Sequence, residues 1–175
     1  QLKENREEYL KTYAPIIEIM VMREMDTPRP TYLYNRGNYS EPLYTVEAKV
    51  PDVLPSMDDN LPKNRLGLSQ WLFDPKNPLT ARVAVNRYWQ MIFGAGLVAT
   101  PNDFGVQGQL PTHPELLDWL AISFIQDWDV KALLKKMVLS KTYQQQSLSN
   151  EVLDQKDPNN HLLARANASR LPAEI

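Results

Sequence analysis

No cysteine occurs anywhere in the chain. That single absence removes disulfides, thiolate-held zinc, iron–sulfur clusters and a cysteine nucleophile. Histidine is nearly as scarce: only His113 and His161 are present, far apart in sequence and without HExxH or EF-hand spacing. Asp103, Glu115 and Asp118 are too generic a set to specify calcium, so neither a metal nor a cofactor is expected. Positive charge is not in excess either. Nineteen Lys and Arg face 21 Asp and Glu, and the net charge of -2 lacks the field of a nucleic-acid binder. No apolar run approaches the roughly 18 residues that a membrane span requires, and no internal repeat is evident.

Glycine is also rare, and its placement is therefore informative. Four of the six glycines and three of the fourteen prolines fall within residues 94–115, GAGLVATPNDFGVQGQLPTHPE. A segment so punctuated has a tightly specified backbone, and it joins two strongly helical runs. The run before it begins near Asn77-Pro78, admits proline in its first turn and stops at Gly94. Along it Ala81, Val85, Tyr88 and Ile92 form one stripe, with Arg82, Asn86, Trp89 and Phe93 beside them. Asn86 and Arg82 on an apolar face must be paired, and partners are expected in the 94–115 loop. Arg87 is expected to donate hydrogen bonds into the same loop.

After the loop, Thr112-His113-Pro114-Glu115 has the form of a capping box. The helix behind it carries Leu116, Leu117, Trp119, Leu120, Phe124 and Ile125 around most of its circumference. Asp129 predicts the N-cap of a further helix running to about Gln146, with Lys131, Lys135, Lys136 and Lys141 on its solvated side. Residues 149–160 read as a polar loop, followed by a short helix over 161–166. Upstream, a helix over 64–73 is predicted, with Leu68 in the core. Residues 1–12 read as a helix tail, 16–22 as a strand, 31–34 and 44–50 as further strands around an Arg36-Gly37-Asn38 turn, and 51–62 as a Pro-rich surface linker.

The fold class is thus mainly α: a bundle-like core of four or five helices around Leu68, Val85, Leu117, Leu120 and Leu134, with a small strand-containing N-terminal segment. Residues 1–62 form the N-terminal part and 63–175 the helical domain. The four tryptophans fall on or beside apolar helical faces, where burial is the default.

The ordered run NPLTARVAVNRYWQMIFGAGLVATPNDFGVQGQLPTHPELLDWLA, with LSKTYQQQS and DPNNHLLAR after it, closely resembles the planctomycete PSD-one family, a domain of unknown function. RPTYLYNRGNYSEP and NRLGLSQWL extend the resemblance upstream. It implies an extracytoplasmic setting, at the C-terminal end of a large exported protein that also carries a cytochrome c-like domain. The implied partners are other domains of that parent, with polysaccharide as a further possibility. The family pattern continues into an Arg- and Glu-rich helix, whereas this chain has Leu171-Pro172-Ala173 and ends at Ile175, as expected of a fragment.

Two functional classes compete. In one, the domain is a non-catalytic structural or interaction module. In the other, Asn86, Arg87, Asn102, Asp103, His113, Glu115 and Asp118 form the surface of an extracytoplasmic enzyme or carbohydrate-binding domain. A neutral His113 near Asp103 would be the general base and Arg87 the anion holder. The bland reading favours the first class: these residue types also build turns and caps, and one histidine without a serine or cysteine nucleophile is a poor catalytic set.

Overall fold

The computed structural model describes residues 1–13 and 19–167. They divide into two compact units, Gln1–Lys49 and Val50–Ile175. In the first, α1 (Leu2–Tyr13) is a polar helix. β1 (Thr31–Tyr34) and β2 (Pro42–Val46) pair antiparallel, with Thr31 opposite Val46 and Leu33 opposite Tyr44. The turn between them runs through a short 3-10 segment, Asn35–Gly37, in which Arg36 and Gly37 take positive φ (49° and 79°). Gly37 accepts that geometry without a Cβ penalty. β2 starts two residues earlier than the sequence suggests and ends at Val46. Of the strand expected over 16–22, residues 19–22 are in no regular element, and the remainder lies outside the described residues.

The second unit is built on α2 (Arg65–Leu72), α3 (Leu79–Phe93), α4 (Pro114–Ile125), α5 (Val130–Val138) and α6 (Glu151–Lys156). Asn64 caps α2, its side chain accepting from the Gly67 amide, and Asp129 caps α5 by accepting from Ala132. α3 stops at Gly94, whose φ of 81° is one that glycine adopts without a Cβ penalty. α3 packs chiefly on α4 and also meets α5. The buried cluster comprises Ala81, Val85, Trp89 and Phe93 of α3, Leu117, Leu120, Ala121 and Phe124 of α4, Leu133 and Met137 of α5, and Leu97 and Val98 of the loop between α3 and α4. Trp89 and Phe93 stack within it, centroids 4.0 Å apart.

Several sequence expectations are corrected. Leu68 is exposed because α2 lies at an edge and buries only Gly67 and Trp71. Trp119 is 58% exposed, since Leu117, Leu120, Ala121 and Phe124 already fill the face that α4 turns inward; Lys136 lies 5.6 Å over its ring, a favourable cation–π placement. α5 ends at Val138 and gives way to turns, the Ser140 hydroxyl bonding back to the Met137 carbonyl. The polar segment 149–160 contains α6, capped by Asn150 on the Leu153 amide. Residues 161–166 are not helical, because the Asp157 carboxylate takes the amides of His161 and Leu162. The truncated helix expected from Leu171 lies outside the described residues.

Residues 51–62 are more than a linker. Trp71 Nε1 donates to the Pro55 carbonyl at 2.8 Å, and a Cβ added to Gly67 would stand 1.9 Å from the Pro62 carbonyl oxygen. Helix propensity alone would make Gly67→Ala stabilising by about 1 kcal/mol. The clash is with backbone and outweighs it, so the substitution is expected to lower stability by about 1–3 kcal/mol in denaturant unfolding.

Candidate functional site

The buried anchor of the loop over 94–113 on α3 is the side chain of Asn86. Asn86 is fully buried; its Nδ2 donates to the Val98 carbonyl at 3.0 Å and its Oδ1 accepts from the Val98 amide at 2.8 Å. The primary amide thus satisfies both backbone groups of a residue that is itself 2% exposed, as a neighbouring strand would. Gly96 permits this approach, because a Cβ there would meet the Val98 carbonyl oxygen at 2.5 Å and the Asn86 amide at 2.7 and 2.9 Å.

Further along, Thr100 is a hub. Its hydroxyl donates to the Asp103 carbonyl at 2.8 Å and accepts from the Gln109 amide at 3.0 Å. Asp103 Oδ1 accepts from Gly105 N, and Gly108 passes so close to the Asp103 carbonyl that a Cβ would stand 2.2 Å away. Thr112 closes the loop: its amide and hydroxyl both donate to the Leu97 carbonyl, at 2.8 and 3.3 Å. The expected capping box is therefore not formed. Pro114 occupies the first helical position, His113 becomes the N-cap without a side-chain cap bond, and the threonine hydroxyl is already committed to Leu97.

The seven residues singled out from the sequence have separate fates. Asn86 and Asp103 are consumed on backbone groups. Arg87, exposed, donates from Nη2 to Asn102 Oδ1 at 3.2 Å. Arg82, whose partner was expected in the loop, instead bonds Asp118 on α4 at 2.6 Å and the Pro78 carbonyl at 2.7 Å. The Arg82 hydrogen bond holds the Asp118 carboxyl below its ordinary range, with the charge of the same guanidinium adding to it and partial burial opposing it. His113 Nδ1 contacts Thr112 Oγ1 at 3.1 Å; among the described residues no hydrogen bond joins it to Asp103. Glu115 is exposed on the first turn of α4. No three metal-ligating side chains cluster among the described residues, and no helix among them is long and apolar enough to cross a membrane.

Two clefts border this region. A smaller one of about 260 Å³ lies behind the loop, with Leu97, Thr112, Arg165 and Asn167 in its wall. A larger one of about 720 Å³ runs along α3 between Leu79 and Met91, walled by Trp71, Leu72, Pro51 and Leu54. Of the seven residues only Arg87 reaches it, and none lines the smaller one.

Sequence reasoning missed the Thr100 hub, which nothing in Ala99-Thr100-Pro101 marks, and the knot over 157–167. In that knot Asp157, 6% exposed, accepts from Leu162 N at 2.7 Å and His161 N at 2.8 Å. Arg165 donates to the Asp157 and Pro158 carbonyls, and Asn160 and Leu163 take positive φ (54° and 53°). Asn167 then donates to the Phe93 carbonyl at the end of α3. The Leu162 amide, ahead of that of His161, holds the Asp157 carboxyl below the ordinary carboxylate range against the opposing effect of burial. A depressed folded value contributes stability above the unfolded pKa of about 3.9 and loses it as pH falls through the folded value. The melting temperature of wild type should therefore fall more between pH 7 and pH 3 than that of Asp157→Asn, which has one acceptor oxygen in place of two at every pH. Equal slopes would contradict this.

Residues 64–175, well over half of the chain, match the family described as PSD1, protein of unknown function (DUF1553). The chain belongs to that family. No curated protein and no solved structure matches it.

Proposed function

We propose that the helical region over 63–175 is a non-catalytic interaction module of a larger extracytoplasmic protein, docking against another domain of that protein. The observation that carries this reading is the direction in which the loop spends its groups. Asn86, Thr100, Asp103 and Thr112 turn inward onto loop backbone, while Val106 and Leu110, 106% and 89% exposed, are presented outward. A catalytic loop needs the reverse, polar groups converging on an open cleft. An ordered loop offering apolar side chains is suited to burial against a partner at little ordering cost. The extracytoplasmic setting and the multidomain parent rest on the resemblance to the planctomycete PSD-one family, whose members combine this domain with a cytochrome c-like one.

A broad hydrolase and glycan-array screen of the 175-residue chain and of His113→Ala tests the catalytic half. Neither protein should show turnover or glycan binding. Activity in wild type that disappears in a normally folded His113→Ala would establish the enzyme or carbohydrate-binding alternative. For the docking half, Val106→Asp with Leu110→Asp should leave the melting temperature unchanged and abolish association with the remaining domains of the parent supplied in trans. Undiminished association would move the interface elsewhere.

A further inference from the structure

The larger cleft has the composition of a ligand site, and it holds polar atoms that have no partner among the described residues. It follows the face of α3 turned away from the core, from Leu79 to Met91, a length of about 18 Å at 1.5 Å per residue. Trp71, Val83, Ala84 and Met91 give it apolar walls, and no carboxylate lines it. A cavity of about 720 Å³ lies within the size range of small-molecule sites, which combine apolar walls with a few placed polar groups.

Asn77 supplies one of those groups. It is 3% exposed, and its Oδ1 accepts from the Leu79 amide at 3.0 Å, which fixes the orientation of the amide. Nδ2 therefore faces away from the backbone. It has no acceptor among the described residues, and since no fully enclosed side-chain polar atom among them lacks a partner, Nδ2 keeps access to solvent on a residue that lines the groove. Further along, on α3, Arg87 lines the same groove. Its bond to Asn102 uses Nη2 and leaves Nε and Nη1 without partners among the described residues. Asn77 Nδ2 and Arg87 are both donors, one of them a cation; Thr80 and Tyr88, whose hydroxyls donate or accept, line the groove as well.

We infer that the groove along α3 binds an elongated, mainly apolar acid with an oxygen acceptor at each end, one carboxylate on Arg87 and the other acceptor on Asn77 Nδ2. The apolar chain between them lies against Trp71, Val83, Ala84 and Met91. A guanidinium edge suits a carboxylate in charge and geometry, and the absence of lining carboxylates disfavours a cationic amphiphile. The inference goes beyond the docking role and stands or falls without it, because its test reads neither turnover nor domain association.

Calorimetric titration of the 175-residue chain with dodecanedioate, dodecanoate and dodecyltrimethylammonium, each below its micellar range, tests the assignment. Dodecanedioate should bind one to one, at least threefold tighter than dodecanoate and at least tenfold tighter than the cation. Asn77→Asp keeps an acceptor for the Leu79 amide while replacing the donor by a carboxylate, and should weaken dodecanedioate at least tenfold. Arg87→Gln should weaken both acids. Ala84→Trp, which fills the groove from α3, should abolish binding and serves if Asn77→Asp fails to fold. Equal affinity for acid and cation, or dodecanedioate affinity unchanged in a folded Asn77→Asp or Ala84→Trp, would overturn the inference.

Discussion

Replacing Asn86 by alanine is expected to cost about 3–4 kcal/mol of the stability of the helical unit, read as a shift in the denaturant midpoint at unchanged slope. The reasoning starts from the two groups left behind. Val98 is 2% exposed, and both its amide and its carbonyl are held by the Asn86 side chain. Without that side chain each is a desolvated, unpaired backbone group, costing about 1–3 kcal/mol. The cavity adds to this, since Asn86 itself is fully buried and its neighbours relax only in part. Partial compensation by an entering water sets the lower figure. Leucine should not rescue the variant, because it restores volume and leaves both polar groups unpaired. A loss below about 1 kcal/mol would mean that the loop finds other partners.

Gly96→Ala carries the second large effect, about 2–3 kcal/mol. Gly96 has no positive φ among the described backbone exceptions, so alanine is not excluded by conformation. It is excluded by space: the new methyl would stand 2.5 Å from the Val98 carbonyl oxygen and inside contact distance of both Asn86 amide atoms. None of these is the free end of a flexible side chain, for the asparagine is fixed by its own two bonds. The methyl is accommodated only by opening the clamp. The two substitutions therefore act on one structure, and their effects should not add. The double variant is expected to lose at least about 1 kcal/mol less than the sum of the singles. Additivity would show that Gly96 is required for something other than the Asn86 contact.

How far the sequence reveals this arrangement depends on the kind of signal each part carries. The helix-rich character was legible, and α3 was legible from end to end because periodicity, Pro78 and Gly94 agree. Asn86 was legible by contradiction: an amide on an apolar stripe must find a partner, and the only nearby segment with a constrained backbone was the loop. Arg82 carried the same contradiction and resolved it on α4, because Asp118 lies within reach across the helix pair. Pattern alone does not choose between two acceptors at similar range.

Other features escaped because short polar signals are ambiguous. Thr112-His113-Pro114-Glu115 fits a capping box by residue type, yet Thr112 lies one residue before the N-cap and serves Leu97. Residues 149–160 looked like a loop because α6 buries no residue and has little apolar periodicity to show. The 157–167 knot is set by a carboxylate accepting two amides, an interaction that competes with helix at a distance of four and five residues. Trp119 faces outward although its residue type favours burial; the narrow inward face of α4 is filled by four other side chains. Asn77 reads in sequence as the approach to a helix, and its Oδ1 takes the Leu79 amide at the start of α3.

The account depends on the loop between α3 and α4 being part of the core and not a cover over it. Amide hydrogen exchange at Val98 measures this directly. If Asn86 seals that amide, Val98 should exchange only through global unfolding of the helical unit, at the same opening free energy as Val85 in α3. Exchange at Val98 orders of magnitude faster than at Val85, with the helices still protected, would show a loop that opens independently and would contradict the account.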